Sequence, residues 1–251
     1  HRDLHSFPTR RSSDLCQNHE ISRPGETYRE RTFTAEDAAD SIERILSEQV
    51  KAVGFVSPSH VVPQVKALIR ELNRRGHYPV TVYNTNSYDK PEVIDSLEGM
   101  IDVYLPDYKY VTPEISAEYS DAFNYPETAL KALKRMYFHK GSTMPLDNEG
   151  RAQNGILIRH LVLPGHAEES KKVLRSIAEE LSPGVHLSLM SQYHPTENVR
   201  KYHGLNRNIY REEYESVVET MEELGFRNVW VQNMDSHMNY RPDFSREHPF
   251  E

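Results

Sequence analysis

An α/β fold built on a parallel sheet is what this sequence predicts, and three observations carry it. Runs rich in Val, Ile and Leu alternate with amphipathic helical stretches at intervals of roughly 25–50 residues. Most apolar runs end in a polar cluster, and the carboxyl ends of parallel strands are where such sheets collect chemistry. No internal repeat or linker interrupts the alternation, which excludes a solenoid and leaves one domain as the expectation.

The elements follow in order. Residues 34–49, TAEDAADSIERILSEQ, read as a helix: Thr34 is an N-cap with Asp37 three residues on, and Ile42, Ile45 and Leu46 form an apolar stripe. VKAVGFVSP (50–58) is a strand ending in a Ser/Pro turn, and SHVVPQVKALIRELNRRG (59–76) a helix closed by Gly76 after a basic last turn. PVTVYNTNS (79–87) is a second strand, KPEVIDSLEG (90–99) a short helix and MIDVYLPDYKY (100–110) a third strand. TPEISAEYSD (112–121) and PETALKALKRMYFHKG (126–141) are helices, each with Pro in its first turn. PLDNEGRAQNG (145–155) has the composition of a hairpin or loop. Then come strand GILIRHLVLPG (155–165), helix 166–184, strand VHLSLMSQYHP (185–195), helix 210–225 and strand FRNVWVQ (226–232). Residues 233–251 are polar and aromatic, with neither helical nor strand period.

Composition narrows the function classes. A net charge of −8 argues against a general binder of nucleic acid or anionic membrane. No apolar run approaches the ~18 residues of a membrane span. The 251 residues contain one cysteine, which excludes an internal disulfide framework and fits a reducing, cytoplasmic setting.

Period two sorts the strand ends into faces. Asp107 and Lys109 continue the side of Ile101, Val103 and Leu105, and Asn84 and Asn86 continue that of Val80 and Val82. Arg159 shares a side with Leu157 and Leu161, a costly place for a guanidinium without an anion partner. Polar groups converging on one mouth fit a polar ligand carrying a carboxylate, an amine and hydroxyls. The plainer reading stays beside it: Asp107 with Lys109, or Arg159 with a neighbouring Asp, as structural ion pairs. His160 falls on the side opposite Arg159 and reads as structural, while His60 and His194 read equally as loop residues. Thirteen histidines include no H-x-H or H-E-x-x-H spacing, and no G-x-S-x-G elbow is present.

Six segments, CQNHEIS, VSPSHVVPQV, VYNTNSY, DVYLPDYKY, IRHLVLPG and LMSQYHP, stand in one order from Cys16 onward. Together they resemble the radical S-adenosylmethionine proteins similar to pyruvate formate-lyase activating enzyme, in particular little-characterised relatives of it. The resemblance implies a partial (β/α)6 TIM-like barrel. It also implies a [4Fe-4S] cluster on a C-x3-C-x2-C loop, with one iron left open to chelate S-adenosylmethionine. Cys16 matches the third cysteine, the metal ligand expected here. Asp107 and Lys109 match the Asp-Leu-Lys near the cofactor, with Tyr108 in place of Leu. Arg159 matches a strand arginine that contacts the cofactor, and His194 the histidine after the last barrel strand. Asn84, Asn86 and Ser87 stand where the ribose-binding strand end is expected. SPSH departs from the usual Gly-Gly-Glu, leaving Ser57, Ser59 and His60 as substitutes for recognising the amine.

The chemistry so implied is reductive cleavage of S-adenosylmethionine to a 5′-deoxyadenosyl radical that abstracts hydrogen. A flavodoxin- or ferredoxin-type electron donor would feed it, and a glycyl-radical enzyme or another peptide would be its substrate. A radical enzyme for a small molecule, a metal-dependent barrel hydrolase and a non-catalytic binding protein are the alternatives. Residues 1–15 match, codon by codon, one reading frame of a common sequencing adapter. The expectation is a non-native segment joined to a barrel domain (16–251) that lacks its first strand and the other two cluster cysteines.

Overall fold

The structure, a computed structural model, describes residue 15 and residues 34–46 and 50–232. Helix α1 (Ala35–Leu46) is followed by strand β1 (Ala52–Val56), helix α2 (Val62–Arg74), β2 (Val80–Thr85), α3 (Pro91–Asp95) and β3 (Val103–Pro106). Helices α4 (Pro113–Ser120) and α5 (Tyr125–Lys140) lead to β4 (Gly155–Leu161), α6 (Ala167–Glu180), β5 (His186–Met190), α7 (Arg211–Glu223) and β6 (Val229–Val231).

The six strands are all parallel and lie in sequence order, β1-β2-β3-β4-β5-β6. Right-handed crossovers that never reverse direction put every connecting helix on the same side of a sheet. Burial bears this out. Tyr83, Tyr104, Ile156, Ile158, Leu187 and Leu189 are buried and join the helices in one core, whereas their alternates Val82, Asn84, Leu105, Leu157, Arg159 and Ser188 are half-buried. A doubly wound sheet would bury both faces, so this one-sided core is the wall of an open barrel.

Local chemistry explains the boundaries. Thr34 and Asp37 cap α1 reciprocally: Asp37 N–H donates to Thr34 Oγ1 at 3.1 Å, and Thr34 N–H donates to Asp37 Oδ2 at 3.0 Å. Gly155 opens β4 at φ 137°, where a Cβ would meet the Thr143 carbonyl oxygen at 3.0 Å. The polar segment before it, expected as a hairpin or loop, turns back on itself with an antiparallel bridge from Leu146 to Ala152. Two 3-10 turns differ from the expected elements: Pro58–His60 takes Ser59 and His60 out of the helix expected from residue 59, which starts at Val62, and Glu197–Lys201 occupies a stretch that sequence patterning left irregular. Residues 47–49, which the sequence pattern assigns to the first helix, together with Cys16 and the 233–251 tail, lie outside the described residues.

Candidate functional site

Strand register gathers the polar ends on the helix-free face. Val56 pairs with Asn84, Asn84 with Leu105, and Asp107 bridges to Arg159, which pairs onward with Ser188. Side chains separated by up to 75 residues of sequence thereby meet. The Arg159 guanidinium gives Asp107 Oδ1 two contacts, from Nε at 2.9 Å and Nη2 at 2.7 Å, and Nη2 also donates to Asn84 Oδ1 at 2.7 Å. Lys109 Nζ lies 3.4 Å from Asp107 Oδ2.

This answers the cost raised by an arginine on an apolar face: the anion partner is Asp107, one strand away. The triad is not sealed like a core ion pair. Arg159 and Asp107 side chains keep 26% and 21% of their exposure. Among the described residues no hydrogen bond occupies Arg159 Nη1 or Asn84 Nδ2. These donors sit beside a cation pair and one carboxylate at the carboxyl ends of β2, β3 and β4. Such a set can hold an anionic group and hydroxyls together.

The other expected residues divide. Asn86 is exposed in the loop after β2, and its Oδ1 accepts the Tyr88 N–H at 3.0 Å. Ser87 is fully buried, adopts φ 65°, and donates its hydroxyl to the Asp107 carbonyl at 2.6 Å. It stands behind the mouth rather than in it. His194 is half-buried in the loop after β5. Ser57 takes the left-handed conformation at φ 52°, with its N–H on the Asn84 carbonyl at 2.8 Å, so the SPSH turn is pinned beside Asn84. Ser59 Oγ is 3.4 Å from Thr85 Oγ1, and His60 is exposed.

His160 lies on the helix side as expected, 2% exposed, with Nδ1 2.7 Å from the Tyr108 carbonyl. Burial pulls its pKa below the usual histidine value, so the ring is neutral and its Nδ1–H donates to that carbonyl.

Sequence reading missed Tyr125 and Asp89. Tyr125 accepts the Lys109 N–H at 3.0 Å and donates to the Asp107 carbonyl at 3.0 Å. Asp89, 3% exposed, accepts the hydroxyls of Tyr83 (3.1 Å) and Thr85 (2.5 Å) behind β2. Neither sits at a strand end, and a tyrosine or aspartate at a helix start carries no local mark of such a role. A separate groove lined by Lys51, His77, Tyr78 and Gln153 lies at the opposite, amino end of the strands, away from the polar cluster. Among the described residues no three His, Cys, Asp or Glu side chains gather as a metal site, and no helix is long and apolar enough to cross a membrane.

No family model matches the chain. It is 28% identical over 226 residues to an uncharacterized protein of Methanocaldococcus jannaschii, covering 86% of this chain and 60% of that relative. The chain therefore spans less than two thirds of the relative's length. Among solved structures it is similar to Streptococcus suis SuiB bound to the precursor peptide SuiA, with TM-score 0.56, 13% identity, and coverage of 94% of this chain and 49% of the other. It is also similar to a spore photoproduct lyase mutant with bound AdoMet and dinucleoside spore photoproduct. There the TM-score is 0.53 at 13% identity, over 88% of this chain and 72% of the other. These structural neighbours are radical S-adenosylmethionine enzymes, and the chain shares their open-barrel fold.

Proposed function

We propose that this chain is the barrel of a radical S-adenosylmethionine enzyme, with the cofactor bound across the carboxyl ends of β2, β3 and β4. The observation that carries the reading is the Arg159–Asp107–Asn84 constellation. It is a polar cluster on a half-open wall that Val82, Leu105, Leu157 and Leu161 also line, with donor groups left unspent. Its chemistry suits the group. Arg159 and Lys109 would face a carboxylate, and Asp107 an ammonium or a sulfonium; Asn84 and Asn86 would supply amide contacts to ribose hydroxyls. Ser87 would act from behind, and His194 would close the mouth from the β5 side. Cys16 would be one thiolate ligand of the [4Fe-4S] cluster. When bound, cluster and cofactor together would supply one-electron chemistry ending in hydrogen-atom abstraction.

The substrate class in this reading is a peptide or protein, with a glycine of a glycyl-radical enzyme as the specific case and a flavodoxin- or ferredoxin-type donor as the electron source. Support comes from the six-segment resemblance and from a structural neighbour that is bound to a precursor peptide.

The test uses the product of the source gene as the organism encodes it. The expected results are anaerobic reconstitution of one [4Fe-4S] cluster and dithionite-dependent release of 5′-deoxyadenosine from S-adenosylmethionine, both requiring Cys16. The second should be lost in Arg159→Leu with the cluster intact. A reconstituted cluster with no cleavage, or cleavage indifferent to Arg159, refutes the assignment of this mouth.

A further inference from the structure

The backbone from Asp107 to Lys109 is held on both sides. Asp107 N–H donates to the Thr85 carbonyl at 2.8 Å, and Tyr108 N–H to the Arg159 carbonyl at 2.9 Å, which ties the turn to β2 and β4. Three further groups are met by side chains. Asp107 C=O takes Ser87 Oγ and the Tyr125 hydroxyl, Tyr108 C=O takes His160 Nδ1, and Lys109 N–H gives to the Tyr125 oxygen. Ser87 and His160 are buried, and so is Tyr125 at 3% exposure. Burial holds the Tyr125 phenol well above its ordinary pKa, so it stays a donor at any working pH.

We propose that Ser87, Tyr125 and His160 are positioning residues that clamp the Asp107–Lys109 turn and so aim both side chains at the site. Tyr125 is central because one hydroxyl bridges two residues of the turn. A buried phenol that accepts from residue 109 and donates to residue 107 fixes their separation, and with it the side on which Asp107 and Lys109 emerge. Tyr108, between them, is anchored the other way: 1% exposed, with its hydroxyl 3.2 Å from Ser176 Oγ on α6. That contact gives the departure from Leu at this position a structural reason, an extra tether to the helix layer. Through Asp107 the clamp also fixes Arg159, whose fork rests on the same carboxylate oxygen. Ser87 thus enters the site through a backbone carbonyl rather than through a ligand.

The inference rests on the proposed cofactor site, so its test has one reading that needs no ligand. Tyr125→Phe is compared with Tyr214→Phe, a matched control whose equally buried hydroxyl donates to the Leu189 carbonyl at 2.8 Å away from the turn. Amide exchange is followed on the full chain without cofactor. Faster exchange at Lys109 in Tyr125→Phe but not in Tyr214→Phe is expected; unchanged exchange at Lys109 overturns the clamp. Binding of S-adenosylhomocysteine as probe to the reconstituted protein is then measured for both. Weaker binding in Tyr125→Phe alone is expected, with thermal midpoints lowered alike in the two variants. Equal effects of the two substitutions on the probe would reduce Tyr125 to a packing residue and overturn the positioning role. A parent protein that does not bind the probe would count against the cofactor site, while the exchange result still decides the clamp.

Discussion

Replacing Asp107 and Arg159 singly and together separates a functional polar cluster from a structural ion pair. Asp107→Leu removes the acceptor of two short contacts and leaves a guanidinium that is three-quarters buried with only Asn84 Oδ1. Breaking a fully buried pair costs about 3–5 kcal/mol; the remaining exposure of a quarter lowers this to roughly 2–3. Arg159→Leu strands a carboxylate that keeps Lys109 at 3.4 Å, so its cost is smaller, about 1–2 kcal/mol. The double variant places two leucines on a face already lined by Leu105, Leu157 and Leu161, and well-packed apolar replacements of an ion pair are neutral or stabilising. Its stability should return to within about 1 kcal/mol of the parent, a coupling of at least about 2 kcal/mol between neighbours. Urea unfolding reads this directly: with a slope of about 2 kcal/mol/M, Asp107→Leu moves the midpoint by roughly 1 M and the double variant restores it. Binding of S-adenosylhomocysteine should be lost in all three. If the double variant is as unstable as the two singles added together, the cluster is a structural pillar. The case that its polarity is kept for a ligand then fails.

Two further expectations concern the frame around the mouth. Glu213 accepts Arg207 at 2.7 Å on both oxygens, the Tyr210 N–H at 2.9 Å and the Gly165 N–H at 2.7 Å, and the Arg207 guanidinium leads in pulling its pKa from 4.5 to about 2. A depressed carboxylate pKa gives stability that is full above the unfolded value and lost as pH falls toward the folded one. Glu213→Gln should therefore cost at most about 3 kcal/mol at pH 7, and the gap to the parent should close between about pH 4.5 and 2 in urea titrations. A gap that does not change over that range would show that charge is not what holds the loop after β4 to α7. Gly155→Ala forces a Cβ to 3.0 Å from the Thr143 carbonyl at φ 137°, so the thermal midpoint should fall by about 4–8 °C, the effect of roughly 2 kcal/mol in a chain of this size. An unchanged midpoint would mean that the start of β4 relaxes at no cost.

The wall of the barrel is legible in the sequence because its signals are local. Alternation in PVTVYNTNS and GILIRHLVLPG assigns each residue to a face whatever the rest of the chain does, and burial of Tyr83 and Ile158 against half-exposed Val82 and Arg159 follows from it. Caps are local too, as the reciprocal Thr34–Asp37 bonds show. Arg159 stands out from the sequence alone because burying a guanidinium is expensive, and an expensive residue on an apolar face must have a reason elsewhere. Its partners, however, come from 52 and 75 residues away, and only the register of three strands could name them. Tyr125 shows the opposite limit. It stands at the start of α5, where aromatic residues are unremarkable, and a phenol can be buried almost anywhere a single acceptor is within reach. Because its burial costs little, it leaves no trace in the sequence, and one of fifteen tyrosines cannot be told from the rest. Charged members of a site therefore announce themselves by their cost, whereas the neutral hydroxyls that hold their backbone have to be found from distances.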